Sequence, residues 1–293
     1  MKEIKHKNDS PLSLINGGEL SLTFIGSGSA FSKRFFQNNL LIVKGDTHVL
    51  VDCGTRTPEA LTRLGLSVTT VRNYLITHTH ADHIGGLEEV MLVNRYGPRQ
   101  KPTMIVTERL RKILWSMSLR GGSAYNEEHD GRYLEMEDFW NFITPIPLRP
   151  AARQLCETRI GDIRIKLFRT MHIPDSARDW RSSFPSYGLI IDDRVLFTSD
   201  TRYDPQMVER FEEEHRFEAI FHDCQMFTGG VHASIEELAG LPEPIRAKTR
   251  LMHYGDNVDA FSGRITELGF AGLAGQWTSY VFDGTAARGS HRR

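Results

Sequence analysis

The sequence predicts an α/β protein built as a single domain. Strand-like segments alternate with helical ones along most of the chain. The same order recurs from residue 20 to 284: a strand pair, a histidine or aspartate, then a helix. No Pro/Ser-rich linker or low-complexity stretch divides it. At 293 residues the chain is long enough to bury a large core. Residues 1–19 read as an N-terminal segment and 20–284 as the folded domain. Residues 285–293, small and basic, read as a disordered tail.

Residues 20–25 alternate apolar and polar side chains, as a strand with one buried face does. Gly26-Ser27-Gly28-Ser29-Ala30 follows. It lacks the third glycine and the lysine of a phosphate-cradling loop. Residues 39–43 and 48–54 read as a β-hairpin through 44–47, with Asp52 at its end. Residues 58–66 read as a helix ending at Gly65. A strand at 71–76 leads into the stretch discussed next, and a helix at 87–96 stops at Gly97-Pro98. A short strand at 104–106 precedes an amphipathic helix at 108–119, which Gly121-Gly122 is expected to end. Residues 121–153 mix aromatic and acidic residues. They are expected to form a mobile, partly helical lid or subunit interface, or a solvated helix with an aromatic face. A hairpin at 156–168, a strand pair at 186–191 and 194–200, strands at 219–221 and 249–252 and a helix from 234 complete the series.

The chemistry concentrates in Thr77-His78-Thr79-His80-Ala81-Asp82-His83-Ile84-Gly85-Gly86. Imidazole and carboxylate suit borderline and hard cations. Side chains at i and i+2 of an extended segment point the same way, so His78 and His80 can grip one ion. Asp82 and His83, where the chain turns into a helix, face a second position. Further ligands are expected at strand ends, where His172, Asp200 and His253 stand. His6, His48, His129, His215 and His291 lack that context and read as surface or structural residues. His222 directly follows a strand and could support the site from behind.

Composition excludes several classes. Hydrophobic residues make up 40% and charged residues 25%, with a formal net charge of −1. No basic field advertises long nucleic acid. Cys53, Cys156 and Cys224 are scattered and read as reduced thiols of a cytoplasmic protein. The polar N-terminus does not read as a signal peptide, and no apolar run approaches a membrane span.

The spacing H-x-H-x-D-H at His78, His80, Asp82 and His83 resembles the signature of the metallo-β-lactamase superfamily. The resemblance implies a four-layer αββα metallo-β-lactamase sandwich over about residues 20–284. It implies that His78, His80 and His172 hold one divalent ion, that Asp82, His83 and His253 hold a second, and that Asp200 bridges them. It makes Asp52, in D-x-G, a residue that orients the histidine loop by hydrogen bonds. It makes the glycine loop at 26–30 a tight turn bringing backbone near the metals. Superfamily members often carry Gly-Asp at the bridging position; this chain has Ser199-Asp200, a small-for-small change. Zinc is favoured by the histidine count, and manganese is compatible with the carboxylates.

A pair of divalent ions activates water and neutralises non-bridging phosphate oxygens, which suits a phosphodiester. His222-Asp223-Cys224 followed by Val231-His232-Ala233-Ser234 resembles the ribonuclease-Z-like phosphodiesterase branch. That resemblance makes His232 the general acid, oriented by Asp223, with Asp82 completing the catalytic set; the alternative is that His232 caps the helix at Ser234. Transfer-RNA 3′-processing ribonucleases carry a protruding arm between the corresponding histidine and aspartate. Here only 28 positions separate His172 from Asp200, and a strand pair fills most of them. The chain therefore resembles the armless anti-Pycsar cyclic nucleotide phosphodiesterases, which implies a small phosphodiester substrate and a homodimer, with no long nucleic acid and no membrane. A transfer-RNA 3′-processing endonuclease, a lactonase or thioesterase on the same scaffold, and a non-catalytic member are the alternatives. Ser27, Arg178, Arg181 and Tyr187 are conjectured to contact phosphate or base.

Overall fold

The computed structural model describes residues 1–8 and 11–284. Two eight-stranded sheets face one another. The first takes, in spatial order, Lys2–Lys5, Thr278–Phe282, Leu20–Gly26, Asn39–Lys44, Thr47–Val51, Asn73–Leu75, Thr103–Ile105 and Asn141–Ile143. The second takes Ile146–Leu148, Leu155–Ile160, Ile163–Arg169, Tyr187–Ile191, Val195–Phe197, Ala219–Asp223, Thr249–Met252 and Gly272–Leu273.

The period of two in the strands sorts the layers. Leu189 and Ile191 face the space between the sheets, whereas Ile190 faces the outer helices. Ala219 and Phe221 divide from Ile220 in the same way. The inter-sheet core is stitched by aromatics: the ring of Phe24 in the first sheet lies 5.0 Å from Phe221 and 6.3 Å from Phe197 in the second. Outside the second sheet, Pro205–His215 buries Met207, Val208 and Phe211. Ile235–Leu238 and Ser262–Glu267 bury Ile235, Leu238 and Ile265 on the same side. Thr57–Arg63 and Leu87–Tyr96 bury Leu61, Leu87, Val90 and Met91 in the core that includes the first sheet. The result is the four-layer αββα sandwich of the metallo-β-lactamase fold.

Several elements differ from the sequence expectation. Lys2–Lys5, within the N-terminal segment 1–19, is the edge strand of the first sheet, antiparallel to Thr278–Phe282. All four of its residues are exposed; backbone bonds pair it with Thr278–Phe282 and Glu3 forms an ion pair with Arg250, so it leaves no apolar pattern to read. Gly121-Gly122 does not end the helix before it. Glu108–Leu114 continues through a π-turn at Trp115–Leu119 into Arg120–Ser123, which contains both glycines. A Cβ at Gly122 would meet only the tip of the flexible Glu88 side chain, which can move aside.

Residues 121–153 are partly framework. Asn141–Ile143 adds to the first sheet and Ile146–Leu148 to the second, so the segment crosses between them. Phe139 and Trp140 are buried, and the Trp140 ring sits edge-on to Tyr74 at 5.4 Å. The small hairpin Glu128–His129/Arg132–Tyr133 stands exposed beside it. The tail 285–293 and His291 lie outside the described residues. Cys53, Cys156 and Cys224 are buried free thiols.

Candidate metal centre

Strand direction sets the site. Thr47–Val51 and Asn73–Leu75 run parallel in the first sheet; Val195–Phe197, Ala219–Asp223 and Thr249–Met252 run parallel in the second. Their C-terminal ends deliver Asp52, the loop His78–His83, Asp200, Asp223 and His253 to one rim. His172 follows Ile163–Arg169, which runs the same way because two antiparallel pairings separate it from Val195–Phe197.

The expected ligands come together. His78, His80, His172 and Asp200 each offer an atom within 4.8 Å of the others, and so do Asp82, His83, Asp200 and His253. Asp200 is common to both groups. In the first, His80 Nδ1 lies 3.2 Å from His78 Nε2 and 3.1 Å from His172 Nε2. In the second, Asp82 Oδ2 is 3.3 Å from both His83 Nε2 and His253 Nε2. Asp200 Oδ2 is 3.3 Å from His83 Nε2, 3.4 Å from His253 Nε2 and 3.8 Å from His78 Nε2 and His172 Nε2.

Two of the imidazoles are aimed by their other nitrogen. His83 Nδ1 donates to Asp52 Oδ2 at 2.7 Å, and His172 Nδ1 donates to the Val231 carbonyl at 2.9 Å. Asp52 also accepts from the Thr77 amide and hydroxyl at 2.8 and 2.7 Å. Backbone bonds from Cys53 to His83 and from Gly86 to Cys53 lace the two segments together. Gly54 is required there, since a Cβ would meet the Asp82 carbonyl oxygen at 2.0 Å. Ser27, in the glycine turn, accepts the backbone bond from Tyr254, the residue after His253.

The donor set fits divalent cations. Both carboxylate oxygens of Asp200 and the Nε2 of His83 are buried without a hydrogen-bond partner. Buried orphans of this kind, ringed by imidazole nitrogens, are what a cation satisfies. The electrostatics agree. Burial opposes ionisation of Asp200, yet the surrounding imidazoles His253, His83 and His78 hold its carboxyl well below the usual range. Burial opposes charge on His83, yet Asp200, Asp82 and Asp52 hold its pKa well above the ordinary value.

His232 stands at the edge of this cluster, with its Nδ1 3.9 Å from Asp200 Oδ2. That Nδ1 donates to Asp223 Oδ2 at 2.7 Å, and the ring stacks on His253 at 4.7 Å. Burial lowers its pKa, but Asp223 overrides this and raises it to about 9. Asp223 is fully buried, accepts from the Thr201 amide at 2.9 Å, and places Oδ1 3.5 Å from His253 Nδ1. One carboxylate thus addresses both histidines. Asp223 and His232 also lie within 4.8 Å of Asp200 and His253; Asp223 Oδ2 takes bonds from Thr201 and His232, while its Oδ1 is buried without a hydrogen-bond partner. Ser234, not His232, caps the helix Ile235–Leu238.

Other expected residues fall elsewhere. Ser27 is buried and shares a 2.7 Å hydrogen bond with the Tyr254 hydroxyl. Tyr187 is buried, and its hydroxyl accepts from Thr107. Both hydroxyls are engaged within the protein. Arg178 and Arg181 are exposed on the loop after His172, with Arg181 over the Trp180 ring. His222 is buried and donates from Nδ1 to the Asp223 carbonyl. His6 bonds Ser279, His48 accepts from the Arg72 amide, and His129 and His215 are remote from the cluster. Sequence reasoning missed Thr77 and Ser199 as supports and the Val231 carbonyl as the anchor of His172. Thr77 lies within the signature stretch; the other two carry no sequence signal.

Comparison with known proteins bears on the fold and the family. Residues 20–280 match the family model described as "Anti-Pycsar protein Apyc1". The chain is 40% identical over 262 residues to an anti-Pycsar protein Apyc1 of Bacillus phage vB_BsuM-Goe3, covering 85% of this chain and 95% of that one. Among solved structures it resembles the metallo-β-lactamase fold protein YhfI of Bacillus subtilis, with a TM-score of 0.65 at 15% identity, covering 90% of this chain and all of that one. It also resembles the short form of human tRNase Z, with a TM-score of 0.56 at 17% identity, covering 81% and 93%.

Proposed function

The chain belongs to the anti-Pycsar protein Apyc1 family and is a metal-dependent hydrolase; from that premise we propose that it is a binuclear phosphodiesterase that opens cyclic mononucleotides to nucleoside monophosphates. The observation that carries this reading is the Asp223–His232 pair set against the shared carboxylate Asp200. A small phosphodiester needs charge neutralised at phosphorus and a proton at the leaving oxygen. Two divalent ions, zinc by the histidine-rich donor set, would supply Lewis acidity and lower the pKa of a water. His78, His80 and His172 would hold one and Asp82, His83 and His253 the other, with Asp200 available to both. His232, protonated through its bond to Asp223, gives its proton to the departing sugar oxygen. Asp223 keeps the ring aimed and stabilises its charge.

The span from His172 to Asp200 supports a small substrate. It holds one loop and the strands Tyr187–Ile191 and Val195–Phe197. We place the protein in the cytoplasm as a homodimer, with exposed Tyr125 and Tyr133 in the 121–153 segment offering a surface for lid or partner. No helix among the described residues is long and apolar enough to cross a membrane.

The test is a substrate panel on zinc- or manganese-loaded protein: cyclic mononucleotides, cyclic dinucleotides, precursor transfer RNA and a lactone. Ring opening of cyclic mononucleotides is expected. Cleavage of precursor transfer RNA alone, or of the lactone alone, would sink the reading.

A further inference from the structure

The two donor groups span both sheets. The histidine loop 78–83 hangs from the first; Asp200, common to both groups, hangs from the second. The ions themselves can tie the two halves, but their donors must be in register beforehand to bind tightly. A specific contact across the sheets does this at Ser199.

Ser199 adopts φ +50°, the left-handed region that glycine enters freely and serine does not. Its side chain is buried, and its hydroxyl donates to Thr77 Oγ1 at 3.0 Å. Thr77 Oγ1 in turn donates to Asp52 Oδ2 at 2.7 Å and lies 3.1 Å from His78 Nδ1. A hydroxyl has one proton and two lone pairs. With its proton given to Asp52, Thr77 accepts from His78 and from Ser199, and its capacity is complete. Asp52 carries the link on to His83. One unbroken chain of hydrogen bonds thus runs from the residue before Asp200 to one ligand of each ion.

We propose that Ser199 is a positioning residue of the metal centre: its hydroxyl, bonded to Thr77, fixes Asp200 of the second sheet in register with the histidine loop of the first. A glycine here would relieve the backbone but leave Thr77 one bond short. The inference rests on the two-ion reading above.

Affinity for zinc, measured by competition with a chelating dye, tests it in the parent, Ser199→Ala and Ser199→Gly proteins, alongside the melting temperature of each metal-free form. Both variants are expected to bind zinc about tenfold or more weakly. Ser199→Gly is expected to do so although its metal-free form melts no lower than that of Ser199→Ala. Affinity within twofold of the parent in both variants would overturn the proposal. So would full affinity in Ser199→Gly alone, because backbone strain rather than the hydroxyl would then be responsible. A parent that retains no zinc after loading would overturn the two-ion reading itself, and this inference with it.

Discussion

Asp223 Oδ2 and His232 Nδ1 lie 2.7 Å apart, inside the shell of residues that surrounds Asp200. The bond commits the Nδ1 proton of His232 to Asp223, so Nε2 is the nitrogen left to exchange a proton with substrate. His232→Ala is expected to cut kcat by about 10²–10⁴-fold. Both ions should remain: His232 falls in a third donor group with Asp200, Asp223 and His253, but its Nδ1 is taken by Asp223 Oδ2. Metal analysis beside steady-state kinetics checks this; loss of metal would make His232 a ligand.

The same pair predicts a pH effect. Asp223 raises the His232 pKa against the opposing effect of burial, to about 9. A general acid works while protonated, so activity falls as pH rises through its pKa. Removing the negative charge lowers that pKa. Asp223→Asn should therefore shift the basic limb of the kcat profile to lower pH, whereas a purely structural defect would scale the profile without moving it.

Metal uptake should release protons. In the metal-free cluster burial disfavours a proton on His83 and on His253, but the carboxylates Asp200 and Asp82 reverse this and raise both pKa values. A cation must displace those protons. Affinity is expected to fall as pH falls, and titration calorimetry in buffers of different ionisation enthalpy will show the release. Metal at 100 times its Kd should stabilise the fold by about 2.7 kcal/mol for each ion bound, read as a higher Tm than with chelator.

Gly54→Ala should lose metal while keeping the sandwich. The new methyl would displace the Asp82 carbonyl, and with it the turn that holds Asp82 and His83. The core strands do not depend on that carbonyl. Circular dichroism close to the parent with weakened zinc binding is the expected pattern.

Phe24→Ala should cost about 3–5 kcal/mol in denaturant unfolding. Phe24 is fully buried and touches aromatic rings from both sheets. A cost below about 1 kcal/mol would mean that the inter-sheet core closes around the gap.

The metal centre was legible because its chemistry is local. Four donors sit within six residues, and His172, Asp200 and His253 each end a strand that its β-branched and apolar residues announce. The supports were less so. A hydroxyl such as Ser199 has no periodicity, and its partner Thr77 is 122 positions away. Lys2–Lys5 escaped because a strand with every residue exposed shows no apolar alternation. The helix Pro205–His215 and the strand Thr278–Phe282 were also unassigned, although Asp204 caps the first and Pro205 opens it. Gly121-Gly122 misled because glycine weakens a helix without always ending it. Ser27 and Tyr187 were right in type for a ligand contact, but sequence does not tell which way a strand-end side chain faces.

Thr278–Phe282 lies between Lys2–Lys5 and Leu20–Gly26, at the opposite end of the chain from both. During synthesis Leu20–Gly26 leaves the ribosome long before this partner is made. Its unpaired edge must therefore wait, open to other strands, until translation is nearly complete. Closure of so long a loop is a slow, non-local event. Nascent chains halted before residue 278 should accordingly be the aggregation-prone species of this protein, and a chaperone that shields strand edges should raise its yield more than one that binds exposed helices.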